Sequence, residues 1–406
     1  MRLRGLILSL AMVLGTYGQQ ASEATRQALA RLGANFYDQC RVELLPTAHE
    51  KFEALFNDIA AAREYVHLDY FKFQDDSICH CLFDLLAHKV EQGVRVRVIF
   101  DAVGNQYSDL PLGKDYLNEI RARGIEIHAF DPMRFPWVHH LVHRNHHKIA
   151  VIDGRVAYSG GMNVADYYLH GKPHIGEWRD MHLRISGPVV GGYEHLFEVM
   201  WYDVSGELLS PTSSLPHSQE TESTSVALVS RMPRHHSENM RKAIAAAIDN
   251  AHDVVQIVNP YTTLTHTVRK ALYRALKRGV RLQIMVSYNG DAAVTQNVQA
   301  IEMYKLMKRG AEVYYYEGGF HHSKVMTIDN TFCCVGTTNM DGRSLRNDYE
   351  VSLFIFDAAP TQQLQEIFHR DVQEHCFMLT PALWKERFST GQRFCGRFFT
   401  PIRSNL

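Results

Sequence analysis

The chain has 406 residues, more than one ordinary hydrophobic core organises, so two domains or two fused halves are expected. Lys plus Arg number 43 and Asp plus Glu 44, a balance that argues against a dedicated nucleic-acid binder, which carries a basic excess. The cysteines, Cys40, Cys79, Cys81, Cys333, Cys334, Cys376 and Cys395, show neither zinc-ribbon nor C-x-x-C spacing and no disulfide framework, and read as buried small side chains.

In chain order, Arg2 and Arg4 precede an apolar run from Leu6 to Leu14, and Thr16-Tyr17-Gly18 follows. A charged start, short apolar centre and small-residue end predict a signal peptide over residues 1–20, with an uncleaved membrane anchor as second choice. The run is shorter than the roughly 20 residues a spanning helix needs. A helical pattern ending in Ile59-Ala60-Ala61-Ala62 then leads into an alternating apolar run from Tyr65 to Phe73. An amphipathic helix from Leu82 to Gln92 stops at Gly93, and a strand from Val94 to Phe100 follows. A helix from Lys114 to Arg123 and a strand from Ile125 to Phe130 complete the series. Residues 205–225, rich in Ser, Thr, Glu and Pro, read as a connector.

After the connector the series is written again. Ile244-Ala245-Ala246-Ala247 leads into Val254 to Tyr261; a helix from Val268 to Arg278 stops at Gly279; a strand runs from Val280 to Val286; Val298 to Arg309 and Glu312 to Tyr316 are the last helix and strand. Strands alternating with helices predict an α/β fold, its sheets largely parallel or mixed and covered on both faces. The expected divisions are a first half over 45–203, a linker over 204–225, a second half over 226–380 and a basic-aromatic tail over 385–406.

Both halves end on the pattern H-x-K-x4-D-x6-G-x-x-N: His146, Lys148, Asp153, Gly160 and Asn163, then His322, Lys324, Asp329, Gly336 and Asn339. Side chains two apart on an extended strand share a face, so each imidazole points into the same space as an ammonium. Asp153 and Asp329 join the candidate catalytic set by spacing, but each precedes a turn, where Asp is favoured for structural reasons. Asn163 and Asn339 are candidates to donate an amide to a phosphate oxygen. Asp180 and Glu350, each downstream of its own half's histidine, are candidates to orient His146 and His322.

Two His, two Lys and two Asn in one cleft suit a phosphodiester. Ammonium and amide groups stabilise charge at phosphorus, one imidazole attacks, and the other handles the alcohol proton. Metal-ligand spacing is absent, and no cofactor or metal is expected.

These residues, with Arg144-Asn145, Trp178-Arg179-Asp180, Gly187-Pro188-Val189, Asn259-Pro260-Tyr261, Met340-Asp341 and Arg343-Ser344-Leu345, resemble the phospholipase D superfamily, most specifically bacterial cardiolipin synthases, from about residue 45 to 385. The resemblance implies a two-lobed α/β/α sandwich with the active site between the lobes, His146 as nucleophile and His322 as acid and base. It implies transfer of a phosphatidyl group to phosphatidylglycerol through a phosphohistidine, with release of glycerol. The substrates would be phospholipids: phosphatidylglycerol, with phosphatidylethanolamine as a further candidate donor. The runner-up is a hydrolase, of lipid or nucleic acid, with the same site. No nucleic-acid partner is expected. Family members typically carry two spanning helices where this chain has one short apolar segment, so membrane topology and donor choice do not carry over. Arg387-Phe388, Arg393-Phe394, Arg397-Phe398-Phe399 and Ile402-Arg403 suit a membrane surface, and Phe135-Pro136-Trp137 a lipid entrance. The expected location is the cell membrane, at the inner membrane or its periplasmic face.

Overall fold

The structure, a computed structural model, describes residues 18–132, 142–209, 224–235 and 239–405. The apolar N-terminal run, the Phe135-Pro136-Trp137 segment and most of the connector lie outside the described residues.

After a first helix, α1 (residues 18–31), the first lobe holds strands β1 (Asn35–Leu45), β2 (Tyr65–Tyr70), β3 (Arg95–Asp101), β4 (Glu126–Phe130), β5 (Lys148–Ile152), β6 (Val156–Gly160), β7 (Glu177–Arg179) and β8 (His182–Ser186). Its helices are α2 (Ala48–Ala61), α3 (Ser77–Glu91), α4 (Ala102–Gln106), α5 (Lys114–Ala122), α6 (Tyr167–His170) and α7 (Val190–Ser205). The second lobe holds β9 (Thr224–Arg231), β10 (Val254–Val258), β11 (Arg281–Ser287), β12 (Glu312–Tyr316), β13 (Gly319–His321), β14 (Val325–Ile328), β15 (Phe332–Gly336), β16 (Glu350–Phe356) and β17 (Cys376–Met378). Its helices are α8 (Met240–Asn250), α9 (His266–Arg278), α10 (Ala293–Met307), α11 (Ala358–His375), α12 (Pro381–Arg387) and α13 (Thr390–Phe399).

Local chemistry explains the boundaries. Thr47 and Glu50 form a capping box that starts α2, whose Phe52, Leu55 and Ile59 are buried at helical spacing. Gly279 ends α9 in the left-handed region, as Gly93 does one residue beyond the cap of α3. The apolar runs from Tyr65 and Val254 are shorter as strands than their sequence pattern. Both chains leave the sheet early, and Phe71, Lys72 and Tyr261 become walls of a cleft instead.

The expected two-lobed α/β/α architecture is present, but the lobes share a sheet. Its 15 strands run β17-β12-β11-β10-β14-β15-β16-β9-β1-β8-β6-β5-β2-β3-β4. Outward from the antiparallel β1–β9 pair, the order is the same in both directions until β17. β2–β3–β4 and β10–β11–β12 are parallel, as strand–helix–strand crossovers require, and the connections toward the centre are antiparallel. One buried cluster combines α7 residues Tyr193, Phe197 and Trp201 with α11 residues Leu364 and Phe368, so one core runs behind both lobes. The two I-A-A-A tetrapeptides are not structural equivalents: α2 ends in that turn, whereas α8 continues another turn to Asn250 before Ala251 caps it. A one-turn slip keeps nearly the same helix face, which is why periodicity did not reveal it. The stretch read as a tail is helical, and α13 lies on α10 so closely that a Cβ at Gly396 would meet the Asn297 carbonyl oxygen.

Candidate active site

His146 and Lys148 stand at the entrance of β5, and His322 and Lys324 just before β14. Each lysine turns back on its histidine: Lys148 Nζ donates to the His146 carbonyl at 2.8 Å, and Lys324 Nζ lies 2.9 Å from the His322 ring nitrogens. His146, His322, Asn163 and Asn339 line one cavity of about 450 Å³. The paired motifs, separate in sequence, therefore meet.

The acids are exchanged relative to the sequence reading. His146 Nδ1 lies 2.9 Å from Glu350 Oε1, and His322 Nδ1 lies 2.6 Å from Asp180 Oδ2. Each histidine is oriented by the other lobe's carboxylate. Backbone pairing between lobes causes the exchange. β7 runs parallel to β13 with Arg179 opposite His321, and the His322 N–H donates to the Arg179 carbonyl, so Asp180 and His322 emerge together. Asn145 likewise bridges Tyr349, and the His146 N–H donates to the Tyr349 carbonyl, which sets Glu350 beside His146.

Asp153 and Asp329 are not in this cavity. They lie at the far ends of β5 and β14, and each occupies the left-handed backbone region. The Asp153 carboxylate accepts from the backbone N–H groups of Arg63, Glu64 and Tyr65. The Asp329 carboxylate accepts from those of His252, Asp253 and Val254. Both tie the turn after a helix to the start of the neighbouring strand, which places them in the frame rather than beside the reacting groups.

Close approach explains the motif glycines. A Cβ at Gly160 would meet the Met181 carbonyl and His182, and one at Gly336 would meet the Val351 carbonyl and Ser352. Asn163 and Asn339 line the cavity, each with its carboxamide oxygen, an acceptor, unpaired; a phosphate oxygen would take the amide N–H groups instead, and that of Asn163 reaches the Tyr168 hydroxyl at 3.3 Å.

Burial controls the charges. It takes Lys148 down to about 7 and Lys324 to about 8. Burial, with Lys324 adding to it, takes His322 to about 4, and His146 is held well below the usual imidazole range by burial and then by both lysines. Glu350 is raised to about 7 by burial, opposed by Lys148. Two lysines and two histidines thus crowd a buried site that disfavours their protonated forms, and a bound phosphodiester anion would favour the protons on both lysines and on His322 again.

Sequence reasoning missed Asp69 and Asp101. Buried Asp101 pairs with Arg144 at 2.8 Å and accepts the Asn145 N–H, while Asp69 lies 3.0 Å from His147 Nδ1. Both sit toward the C-terminal ends of parallel strands, the usual edge for a site in such sheets, and that position was the available signal. Phe71, whose ring centroid is 5.1 Å from that of His146, carried none.

A family model described as cardiolipin synthase, PLD-like domain, matches residues 55–201 and 244–372. The probable cardiolipin synthase YwiE of Bacillus subtilis (strain 168) is 31% identical over 341 residues, covering 84% of this chain and 67% of the relative. The cardiolipin synthase of Oceanobacillus iheyensis is 31% identical over 364 residues, covering 89% and 75%. Among solved structures, phosphatidylserine synthase of Haemophilus influenzae Rd KW20 superposes with a TM-score of 0.68 at 15% identity, covering 94% of this chain and 98% of that one. Polyphosphate kinase of Porphyromonas gingivalis gives 0.56 at 12% identity, covering 90% and 54%. At these identities the two structures establish the fold alone.

Proposed function

Because the chain belongs to the cardiolipin synthase family with its phospholipase-D-like domain, and is a phosphatidyltransferase of that superfamily, we propose that it joins two phosphatidylglycerol molecules into cardiolipin and releases glycerol. The observation that carries the reading is the crossed pair of carboxylate-oriented histidines facing one cavity. With Glu350 holding Nδ1, Nε2 of His146 is free to attack phosphorus, and the P–O bond to the leaving glycerol breaks. His322, oriented by Asp180, gives that alkoxide a proton. The glycerol hydroxyl of a second phosphatidylglycerol then attacks the phosphohistidine, the P–N bond breaks, and His322 takes the hydroxyl proton. Lys148, Lys324, Asn163 and Asn339 would hold the non-bridging oxygens as phosphorus becomes five-coordinate. Asp153 and Asp329 would act only through the fold.

The substrates bring the protein to a membrane surface, and the reading extends to α13. Phe394 and Phe398 are 70% and 68% exposed on one face, with Arg393 and Arg397 on the same helix. The α10 helix beneath it starts beside Asp291 and Ala292 of the cavity wall. Aromatic residues entering the acyl boundary and arginines meeting anionic headgroups would seat the cavity over its lipid. Among the described residues, no helix is long and apolar enough to cross a membrane.

The test is purified protein on phosphatidylglycerol vesicles, with lipids followed by mass spectrometry and glycerol assayed enzymatically. Cardiolipin and glycerol in equal amounts support the reading. Phosphatidic acid as the only new lipid would replace it with a hydrolase.

A further inference from the structure

Cardiolipin carries two phosphates on one glycerol bridge. On the reading above, the transfer step holds two phosphodiesters at once, and only one of them reacts. The two motif lysines and two asparagines are committed to the reacting phosphorus. The second phosphate, on the acceptor lipid, needs its own cation one glycerol away.

The same cavity has other cations on its wall: Lys72, Arg144, Lys172 and Arg343. Three are engaged. Arg144 is buried against Asp101 and the Phe130 carbonyl. Arg343 Nε is 3.1 Å from Asp348 Oδ2. Lys172 pairs with Asp109 and lies over the rings of Tyr167 and Trp178 at 4.6 and 5.2 Å. Lys72 alone of the four makes no side-chain hydrogen bond or ion pair among the described residues. Its electrostatic neighbours are Lys172, Asp109 and Asp291. Asp109 is taken by Lys172, and Asp291 accepts from the Tyr261 hydroxyl. Two ammoniums and two carboxylates balance overall, but only Lys172 has a carboxylate in direct contact, which leaves the Lys72 ammonium without one.

Its backbone is fixed beside the site. Lys72 follows Phe71, whose ring packs against His146 and lies 5.2 Å from Lys148 Nζ. The Lys72 carbonyl accepts the Val164 N–H next to Asn163, which fixes this stretch to the loop that follows β6. Burial lowers its ammonium below the ordinary lysine range, so an anion in contact would be held firmly.

We propose that Lys72 is the phosphate anchor of the acceptor lipid, a subsite for a second, non-reacting phosphodiester that selects a charged lipid alcohol over free glycerol or water. The inference rests on the synthase reading, and its test separates the two. With phosphatidylglycerol vesicles and labelled glycerol, one assay reports two products. Exchange of labelled glycerol into phosphatidylglycerol needs only the reacting phosphate, whereas cardiolipin needs both. Lys72→Met is expected to lower the ratio of cardiolipin to exchanged phosphatidylglycerol about tenfold or more, as loss of a charge-assisted contact implies. Lys72→Arg is expected to restore most of the ratio. An unchanged ratio, with both products falling together, would overturn the subsite and make Lys72 a donor or folding residue. Glycerol exchange by the unmodified protein without any cardiolipin would overturn the synthase reading itself.

Discussion

The two half-sites repeat one sequence pattern, yet their carboxylates are held differently. Glu350, beside His146, also accepts from the hydroxyls of Ser344 and Thr337, and burial holds its carboxyl near neutrality at about 7. Asp180, beside His322, takes the Met181 N–H and has buried Lys51 as an electrostatic neighbour, with the Lys51 ammonium 3.8 Å from the Phe52 ring and making no hydrogen bond. One acid is held by two hydroxyls and the other by a backbone N–H, with a buried lysine nearby whose ammonium form burial disfavours. A duplicated motif thus supplies equal reagents, and the surroundings differentiate them. A pair of histidines that must carry opposite roles in one turnover requires such a difference.

Removing either reagent has the largest effect. His146→Ala and His322→Ala are each expected to lower turnover at least about 10³-fold, since His146 carries the phosphatidyl group and His322 speeds the proton transfers of both half-reactions. In His322→Asn a phosphatidyl adduct is expected on His146, visible by mass spectrometry of the peptide. An adduct on His322 in the His146 variant would reverse the assignment.

The crossed acids give the next test, about 10²-fold each. With a phosphatidyl nitrophenyl ester, whose leaving group needs no proton, Glu350→Gln is expected to suppress the nitrophenolate burst and Asp180→Asn to retain it. The opposite pattern would mean that each acid serves its own half's histidine in solution.

The lysines set the alkaline limb. In the free protein Lys148 and Lys324 lose their protons as pH rises through about 7 and about 8, because burial disfavours the ammonium. Since the anion binds the protonated forms, kcat/KM is expected to fall above that range. Bound phosphate raises both values, so the limb in kcat should lie at higher pH. Coincident limbs would remove the lysines from phosphate binding.

Asp153→Ala and Asp329→Ala are expected to cost roughly 2–4 kcal/mol in urea unfolding, from three stranded N–H groups each. Activity per folded molecule should change little. A large loss in fully folded Asp153→Asn would return Asp153 to the chemistry. The smallest effect is on α13. Phe394→Ser with Phe398→Ser should weaken binding to anionic vesicles several-fold and leave turnover on detergent-dispersed lipid near normal. Equal vesicle binding would make the helix plain packing.

The repeat, the α/β class and the H-x-K spacing were legible in the chain itself, because each is set by neighbours along one strand or helix. The turn position of Asp153 and Asp329 was legible for the same reason, but the motif spacing also drew them into the catalytic set, and only their place at the far strand ends took them out of the cavity. The crossed partners of His146 and His322, the shared sheet through β1 and β9, and the place of Lys72 on the cavity wall were not legible. These depend on pairings between segments far apart in sequence, β7 with β13 and Asn145 with Tyr349. Two nearly identical halves offer each acid two equivalent histidines, and sequence distance favours the nearer. Backbone hydrogen bonds across the lobe boundary chose the farther, so the chain specified the reagents and the tertiary structure specified how they are paired.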